Sequence, residues 1–432
     1  MNYFQEQFDA FLNYLPNENE PLRKLRIEAF DQFKNAGLPN KKKEDWQFTD
    51  FNPLKNTNFR LSNKNDLPTM LAKDIPERIP NMYLLFFVNG HFQPQLSEIP
   101  NEIFISTGLE HFKSNQDLLS INNESFEWTD HKNPFISLNT SMMNSGLTIN
   151  IADQSTIKKP LQVIYLTTKL SDPLMNHPRF NFQIGEMSQI TIIEQHLGLT
   201  SIPYFTNSVS KINLSNQANL NHIHILEDGQ FSNHTNYTNY TLNRDSQLNA
   251  NSIIIGGKLF RRDINVKFAK QGGNAKINGL SLTKDGQHHD QHITINHSSD
   301  SCQSNQLFKY ILSEKSSGVF NGKVIVDKDT KQTNANQTNK NLLLSDNSLM
   351  NANPQLEIYA EDVKCSHGST TGQIDPEALF YLRSRGISEQ KAVELIVEGF
   401  AIEILEEISN DNIISMLNNK ISHWLEKETI NE

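Results

Sequence analysis

The densest group of potentially reactive side chains in this sequence lies at Cys365 and His367, within the segment Asp362–Gly368. Residues two positions apart on an extended strand point to the same side, because side chains alternate along a strand. A thiolate and an imidazole together suit a soft or borderline metal such as iron or zinc. Two ligands do not complete a metal site, so further ligands would come from elsewhere in the chain or from a partner. The alternative is a strand end with one buried cysteine and one hydrogen-bonded histidine.

A second cluster is formed by His288–His292, followed by His297 and Cys302. His289 and His297 share one face of the predicted strand, whereas His292 lies on the opposite face. A metal site built from this stretch alone is therefore awkward. We expect surface histidines on a polar strand here.

No other pattern supplies a self-sufficient catalytic set. His222 and His224 share one face of a predicted strand, and we expect them on the polar outer side. The sequence contains no G-x-x-x-x-G-K-[ST] loop, no G-x-S-x-G elbow and no H-E-x-x-H helix. These absences exclude a P-loop ATPase and predict that the chain binds no nucleotide.

Composition narrows the class of protein further. The 432 residues carry a formal net charge of −10, which argues against a nucleic-acid surface. No segment approaches the roughly 20 consecutive apolar residues of a membrane span, and the first residues lack a signal-peptide pattern. With only two cysteines, 63 positions apart, neither a disulfide framework nor a cysteine-only metal site can form within the chain. We therefore expect a cytoplasmic protein.

The residue patterns predict three regions that would position these side chains. The region 1–130 begins with two helices, indicated by apolar residues at intervals of three and four, and continues with mixed structure around the strand Tyr83–Val88. The region 131–370 is a long succession of short alternating segments, such as Leu147–Ile151 and Lys323–Val326, and is predicted to be β. The region 371–432 is helical.

A repeat of 28 to 30 residues runs through the β region. A small, a polar, an apolar and a further polar residue recur at Ser188–Thr191, Ala218–Asn221, Ser246–Asn249 and Ala275–Asn278. Repeats of this size indicate stacked units that bury their apolar side chains against their neighbours. The sequence thus favours a β-solenoid over the alternative, a large β-sandwich.

The last region carries clear helix signals. Asp375 can cap a helix that begins at Pro376 and ends at Gly386, and Ser388 opens a longer amphipathic helix. The apolar faces of these helices, which include Leu395 and Phe400, have too few partners within so short a region. We expect some to pack on the end of the solenoid and the rest to meet another chain.

Several segments together resemble the SufB/SufD family of iron–sulfur cluster assembly proteins. The strongest resemblance covers about residues 290–405, and a further element near the start looks like the family's E-x-W-x-[YF]-T pattern. The matching segments are Pro354–Gly372, Ala378–Ile387, Gly318–Lys323, Lys331–Thr333, Asn341–Ser345 and Lys43–Thr49. The K-C-S-H-G form at Lys364–Gly368, and the small number of cysteines, resemble the SufD-type chains of that family rather than the SufB type.

This resemblance implies a mainly β protein, with a right-handed parallel β-helix between an N-terminal helical region and a C-terminal helical domain. It also implies a scaffold without enzymatic activity of its own, which pairs with SufB through the β-helix and docks the SufC ATPase through its C-terminal helices. Isolated chains could pair with themselves through the same edge.

The resemblance also assigns roles to individual residues. His367 corresponds to a proposed iron ligand at the SufB interface, with Cys365 beside it, so that iron or a nascent iron–sulfur cluster would be held transiently and shared with SufB. His297 and Cys302 also fall on family-like positions and are secondary candidates. The residues expected to dock SufC are Phe380, Tyr381, Arg383, Arg385, Gly386 and Phe400.

Two other functions remain as alternatives. A β-solenoid carbohydrate-active enzyme, such as a lyase or esterase, would act through carboxylates on its concave face. A stand-alone metal-binding protein would retain about one equivalent of iron or zinc, which two ligands on one strand disfavour.

Overall fold

The computed structural model describes residues 2–15, 18–107 and 133–426. Two long sheets dominate it, one with the strand order β20-β18-β16-β14-β12-β10-β8-β5-β4 and the other with the order β21-β19-β17-β15-β13-β11-β9-β6-β2-β3. From β8 onward, successive strands alternate between the two sheets and every ladder is parallel. This arrangement is a β-solenoid, in which each coil contributes one strand to each sheet. The predicted mainly β fold is confirmed.

The strands have the following bounds: β1 Arg60–Leu61, β2 Tyr83–Val88, β3 His91–Phe92, β4 Ile103–Thr107, β5 Ser145–Ile151, β6 Leu161–Thr168, β7 Leu174–Asn176, β8 Pro178–Ile184, β9 Gln189–Leu199, β10 Tyr204–Leu214, β11 Asn219–Glu227, β12 Asn233–Leu242, β13 Gln247–Ile254, β14 Leu259–Phe268, β15 Asn274–Thr283, β16 His288–His297, β17 Gln303–Leu312, β18 Ser317–Val326, β19 Thr333–Leu343, β20 Leu349–Ile358 and β21 Val363–Gln373. The helices are α1 Asn2–Tyr14, α2 Glu20–Ala36, α3 Asn52–Asn56, α4 Pro134–Met142, α5 Pro376–Ser384, α6 Glu389–Leu405 and α7 Asp411–Glu426.

The repeat found in the sequence marks the starts of β9, β11, β13 and β15. In the first three copies the apolar residues stack in register, with Leu220 between Ile190 and Leu248. The fourth copy is displaced, because Leu248 pairs with Ala275 and not with Ile277. The coil is two residues shorter there than the repeat implied, and a two-residue change leaves every side chain on the same face.

Apolar residues from both sheets fill the interior of the solenoid. Ile190 and Leu220 from one sheet and Ile212 and Val266 from the other belong to one buried cluster. Residues that alternate with these along each strand point outward. Left-handed turn residues such as Gln217 and Gly272 carry the chain from one sheet to the next.

The N-terminal region covers one side of the solenoid. The two predicted helices are confirmed as α1 and α2, and Gly37 ends the second. Arg26 is fully buried and donates hydrogen bonds to the carbonyl oxygens of Ser141 (3.2 Å) and Met143 (3.0 Å), which ties α2 to α4 and the residue after it. The predicted strand is confirmed as β2, which joins a solenoid sheet beside β6. The predicted boundary between residues 130 and 131 lies outside the described residues, and the three-part division stays a prediction.

The C-terminal helices pack differently from the expectation. Helices α6 and α7 lie on the outer face of the sheet that contains β11 and β15, not on the end of the solenoid, and Val397 and Ile404 pack there with Ile223 and Leu280. Leu395, assigned above to the apolar face, is exposed instead. The predicted caps are confirmed, since Asp375 and Ser388 accept hydrogen bonds at the starts of α5 and α6. In the part of the chain that the structure describes, no helix is both long and apolar enough to cross a membrane.

Candidate metal site at the open end of the solenoid

Cys365 and His367 lie on β21, the last strand of its sheet. In the register with β19, Cys365 stacks on Ala335 and His367 stacks on Gln337. Ala335 and Gln337 are buried inside the solenoid, and Ala335 clusters with side chains from the opposite sheet. Cys365 and His367 therefore continue two inward columns of the solenoid, as their predicted common face requires.

Cys365 and His367 are less covered than Ala335 and Gln337, the residues on which they stack. No further coil stacks on β20 or β21 within the described ranges, so His367 is exposed. Cys365 is half-buried against Val324, Val326 and Ala335, and this burial raises the pKa of its thiol. The alternative of a buried cysteine beside a hydrogen-bonded histidine does not describe His367, for which the structure gives no hydrogen bond among the described residues. The open end therefore presents an imidazole and a partly accessible thiol side by side.

The secondary candidates occupy a different environment. His297 is buried, accepts or donates a hydrogen bond at 2.8 Å between its Nε2 and Ser304 Oγ, and has a pKa lowered to about 4 by burial. Cys302 is also buried, and its Sγ donates to the carbonyl oxygens of Lys270 and Asp300. Strand β19 separates β17, which begins after Cys302, from β21. The structure does not bring this pair to Cys365 and His367.

The histidine run at His288–His292 is not a polar surface, and that expectation is wrong. The N-terminal segment Lys43–Thr49 covers its outward-facing residues: Thr49 donates a hydrogen bond to Asp290, and Thr49 Oγ1 lies 2.9 Å from His288 Nε2. His289 faces the interior of the solenoid, where its ring lies 2.7 Å from Ser281 Oγ. Arg261 binds Asp290 at 2.6 Å, and its guanidinium lies 4.3 Å from the centre of the Trp46 ring. Although burial alone would raise the pKa of Asp290, Arg261 holds it well below its usual range. This network attaches the N-terminal region to the solenoid.

His222 and His224 were expected on the outer side, and this is also wrong. Both are buried inside the solenoid, because they share strand parity with the core residue Leu220. Beside them on β9 lie Glu194 and His196, which the sequence reasoning missed. The signal was present, since Glu194 and His196 continue the inward alternation that begins at Ile190 and Ile192.

The residues expected to dock an ATPase fall into two groups. On α5, Phe380 is 73% exposed and Tyr381 is 57% exposed. Arg385 lies over the Tyr381 ring and donates to its hydroxyl at 3.1 Å, and Arg383 pairs with Glu389. These contacts hold the basic and aromatic side chains of α5 at the surface. Gly386 follows this helix with a positive φ of 83°.

Phe400 does not belong to that exposed group. Its ring lies 4.6 Å from Lys309 Nζ, which also donates to the Phe400 carbonyl oxygen at 2.7 Å. Phe400 therefore contacts the outer face of the solenoid, and α5 alone carries the exposed aromatic pair.

Comparisons with known proteins agree with these features. Residues 165–400 match the family model described as SUF system FeS cluster assembly, SufBD core domain, and residues 2–163 match the SufBD protein N-terminal region. The chain is 31% identical over 402 residues to an iron–sulfur cluster assembly SufBD family protein of Synechocystis, covering 90% of this chain and 88% of the relative. It is 30% identical over 390 residues to the iron–sulfur cluster assembly protein SufD of Escherichia coli, covering 89% of each. A chloroplastic protein of Arabidopsis thaliana, named ABCI7, is 25% identical over 433 residues, which cover 97% of this chain and 90% of the relative.

Proposed function

The chain belongs to the SufBD family of iron–sulfur cluster assembly proteins, and from this premise we propose that it is a non-ATPase scaffold subunit that pairs with a SufB-type protein and docks a SufC-type ATPase. The observation that carries the proposal is the uncovered last coil, with Cys365 and His367 on its inward face. The family match favours this scaffold function over the carbohydrate-enzyme alternative. A cytoplasmic location and the absence of enzymatic activity in the isolated chain belong to the same proposal.

The open end supports pairing with a second solenoid. Strands β20 and β21 are the edges of their sheets, and exposed sheet edges bind further strands readily. Apolar side chains lie beside this edge, including Leu349 and Tyr359, which are 58% and 64% exposed. A SufB-type solenoid would cover these residues. A second copy of this chain would occupy the same edge when that partner is missing.

Iron, or a nascent iron–sulfur cluster, is the substrate in this proposal. Cys365 and His367 supply one thiolate sulfur and one imidazole nitrogen, a ligand pair that suits iron. Their Cα atoms are about 6.6 Å apart, two strand residues, so both side chains can approach one ion or one cluster. The remaining ligands come from the partner across the interface, which makes the substrate transient and shared.

Helix α5 supports the docking of an ATPase. It exposes Phe380 and Tyr381 next to Arg383 and Arg385. Exposed aromatic residues beside arginine are typical of interface residues that contribute strongly to binding. Because α6 and α7 already pack on the solenoid, α5 can present this surface on a fixed support.

The pairing is tested by co-purification of the tagged chain with the SufB-type and SufC-type proteins of the same organism. We expect wild type, His367→Ala and Cys365→Ser to retain both partners, while the two variants lose iron or cluster loading. Ser366→Ala is the matched control, since Ser366 lies between the two residues on the opposite face and should leave loading unchanged. Elution of the wild-type chain alone would contradict the scaffold function, and normal loading of His367→Ala would contradict the role of His367.

A second pair of variants tests the ATPase surface. Phe380→Ser combined with Tyr381→Ser should release the ATPase but retain the SufB-type protein. Ile402→Ser is the control, because Ile402 is an exposed apolar residue on α6, away from the aromatic pair. Equal loss of the ATPase in both variants would show that α5 is not the docking helix.

A further inference from the structure

A group of polar side chains lies in the interior of the solenoid, between the two sheets. Glu194 and His196 on β9 and His224 on β11 face inward, and Glu194 stacks directly on His224 in the strand register. All three are at least 97% buried, and one ligand atom from each lies within 4.8 Å of the others. Two imidazoles and one carboxylate on one face are the donor set of many iron(II) sites, and His₂Glu also binds zinc.

The potential ligand atoms are left without partners. Neither ring nitrogen of His224 has a hydrogen bond among the described residues, and the same holds for His196 Nε2 and Glu194 Oε1. His222 Nε2 lies 3.3 Å from Glu194 Oε1, but without hydrogen-bond geometry. A buried polar atom without a partner costs about 1–3 kcal/mol, and most buried polar atoms in proteins are satisfied. Several such atoms converging on one point therefore indicate a missing ligand.

The two histidines are available as neutral nitrogen donors. Burial lowers the pKa of both His196 and His224 well below the usual range, so both rings are neutral and offer a lone pair. Near them lie the carboxylates of Glu194 and Asp228, the guanidinium of Arg262 and the imidazoles of His222 and His234.

We propose that Glu194, His196 and His224 bind one divalent first-row transition-metal ion inside the solenoid, at a site separate from Cys365 and His367. An ion with bonds of about 2.1 Å needs its ligand atoms roughly 3.4 Å apart. The ligand atoms, which lie within 4.8 Å of one another, would move closer together when the ion binds. His222 lies beside this group, with its Nδ1 2.6 Å from the Tyr240 hydroxyl and its Nε2 3.3 Å from Glu194 Oε1.

A cavity at the surface lies close to the proposed site. A cavity of about 900 Å³, between α7 and the turns after β11, β13 and β15, is lined by Glu227, Asp228 and Gly256. Asp228 accepts a hydrogen bond from His234 Nδ1 at 2.7 Å, and the His234 ring lies 4.7 Å from the His196 ring. This row of carboxylate and imidazoles links the lining of the cavity to the proposed ligand His196.

The experiment uses the full-length chain alone, stripped of metal with a chelator and titrated with cobalt(II) as the probe. We expect about one equivalent of cobalt(II) to bind. Its visible absorption should be that of an ion with nitrogen and oxygen ligands, without a charge-transfer band from a thiolate. His224→Gln and Glu194→Gln should each weaken binding at least about 10- to 100-fold, the range already seen when only an outer-shell partner of a metal site is lost. Cys365→Ser combined with His367→Ala should bind cobalt(II) like wild type.

His177→Gln is the matched control for replacing a buried histidine, because His177 is fully buried but is not one of the proposed ligands. Wild-type binding in folded His224→Gln, thiolate charge transfer, or no binding by the wild-type chain would each overturn the proposal. If the variants do not fold, an anomalous-difference map from wild-type crystals soaked in cobalt(II) decides: a peak among the three side chains supports the site, and its absence there overturns it. No partner protein is needed, so either result leaves the function proposed above untouched.

Discussion

His222 and His367 occupy the same inward column of the solenoid, five strand steps apart through Ala250, Ile277, Gln306 and Gln337. At about 4.8 Å per step, they are about 24 Å apart. His222 is 2% exposed and bonded to Tyr240, whereas His367 is exposed at the last coil. The same residue type at equivalent positions is thus enclosed in the middle and accessible at the end. The position of a residue along the solenoid, more than its type, decides whether its inward side chain can meet a partner.

The largest expected effect on stability comes from a comparison of Phe308 with Ser369. These two residues lie in another inward column, on either side of Asn339. Phe308 is fully buried, so Phe308→Ala should lower the free energy of unfolding by about 3–5 kcal/mol. Ser369→Ala lies on the uncovered coil and removes only the hydrogen bond from Ser369 Oγ to Asn339 Oδ1 (3.0 Å), so it should lower the free energy of unfolding by no more than about 1.5 kcal/mol. Urea denaturation of the isolated chain measures both. Comparable losses in the two variants would show that the last coil is as closely packed as the middle.

The next effect is the dependence of stability on pH, which arises from the enclosed histidines. Burial lowers the pKa of His177 and of His289 to about 3. Below pH about 6.5 the unfolded chain takes up protons that the folded chain does not, so stability is lost as pH falls from about 6.5 toward 3. Each such histidine contributes a slope of up to about 1.4 kcal/mol per pH unit.

His289→Gln isolates one of these protons. Between pH 7.5 and 5, the free energy of unfolding of the His289→Gln variant should decrease by less than that of the wild-type chain. Urea denaturation at the two pH values measures both decreases. His367→Gln is the control, because it replaces a histidine that lies exposed on the last coil and not in the interior. An unchanged slope in His289→Gln would mean that this ring takes up its proton equally in the folded and unfolded chains.

Much of the fold was accessible from the sequence because its signals are local. Alternation predicts the strands, Asp375 and Ser388 predict the helix starts, and three copies of the repeat predict the register. The displacement at Ala275 could not be predicted, since a coil two residues shorter preserves the alternation on which the prediction depends.

The environment of the polar residues was harder to predict, because it depends on contacts distant in sequence. His288 and Asp290 look like surface residues until Thr49, about 240 positions earlier, covers them. His224 looks like a surface residue because histidines usually are, although its parity with Leu220 places it inside. Cys365 and His367 were recognised from their spacing and family resemblance, and their exposure follows from the absence of a following strand in the described chain.

The third expected effect concerns two lysines on the outer face of the solenoid. Lys309 and Lys340 are neighbours in one column, and both bind Glu403 of α6. The Lys309 side chain is 4% exposed and also bonds the Phe400 carbonyl, whereas that of Lys340 is 40% exposed. Lys309→Ala should therefore cost about 1.5–3 kcal/mol, the range for a hydrogen bond to a charged group.

Lys340→Ala removes a solvent-screened pair and should cost less than about 1 kcal/mol. Thermal unfolding of the two variants provides the measurement. Equal losses of stability in the two variants would show that α6 shields Lys340 from solvent as well as it shields Lys309.

The smallest expected effect concerns Leu349, at the start of β20. Because this leucine is 58% exposed in the isolated chain, Leu349→Asp should change the free energy of unfolding by no more than about 0.5 kcal/mol. The same change should strongly weaken binding of a solenoid partner, since covering the edge would bury a charge in an apolar contact. Leu312→Asp is the matched comparison, because Leu312 lies on β17 and is fully buried. We expect Leu312→Asp to unfold, whereas Leu349→Asp should remain folded but fail to bind the solenoid partner. A folded Leu349→Asp that still binds its partner would show that the partner covers some other part of the molecule.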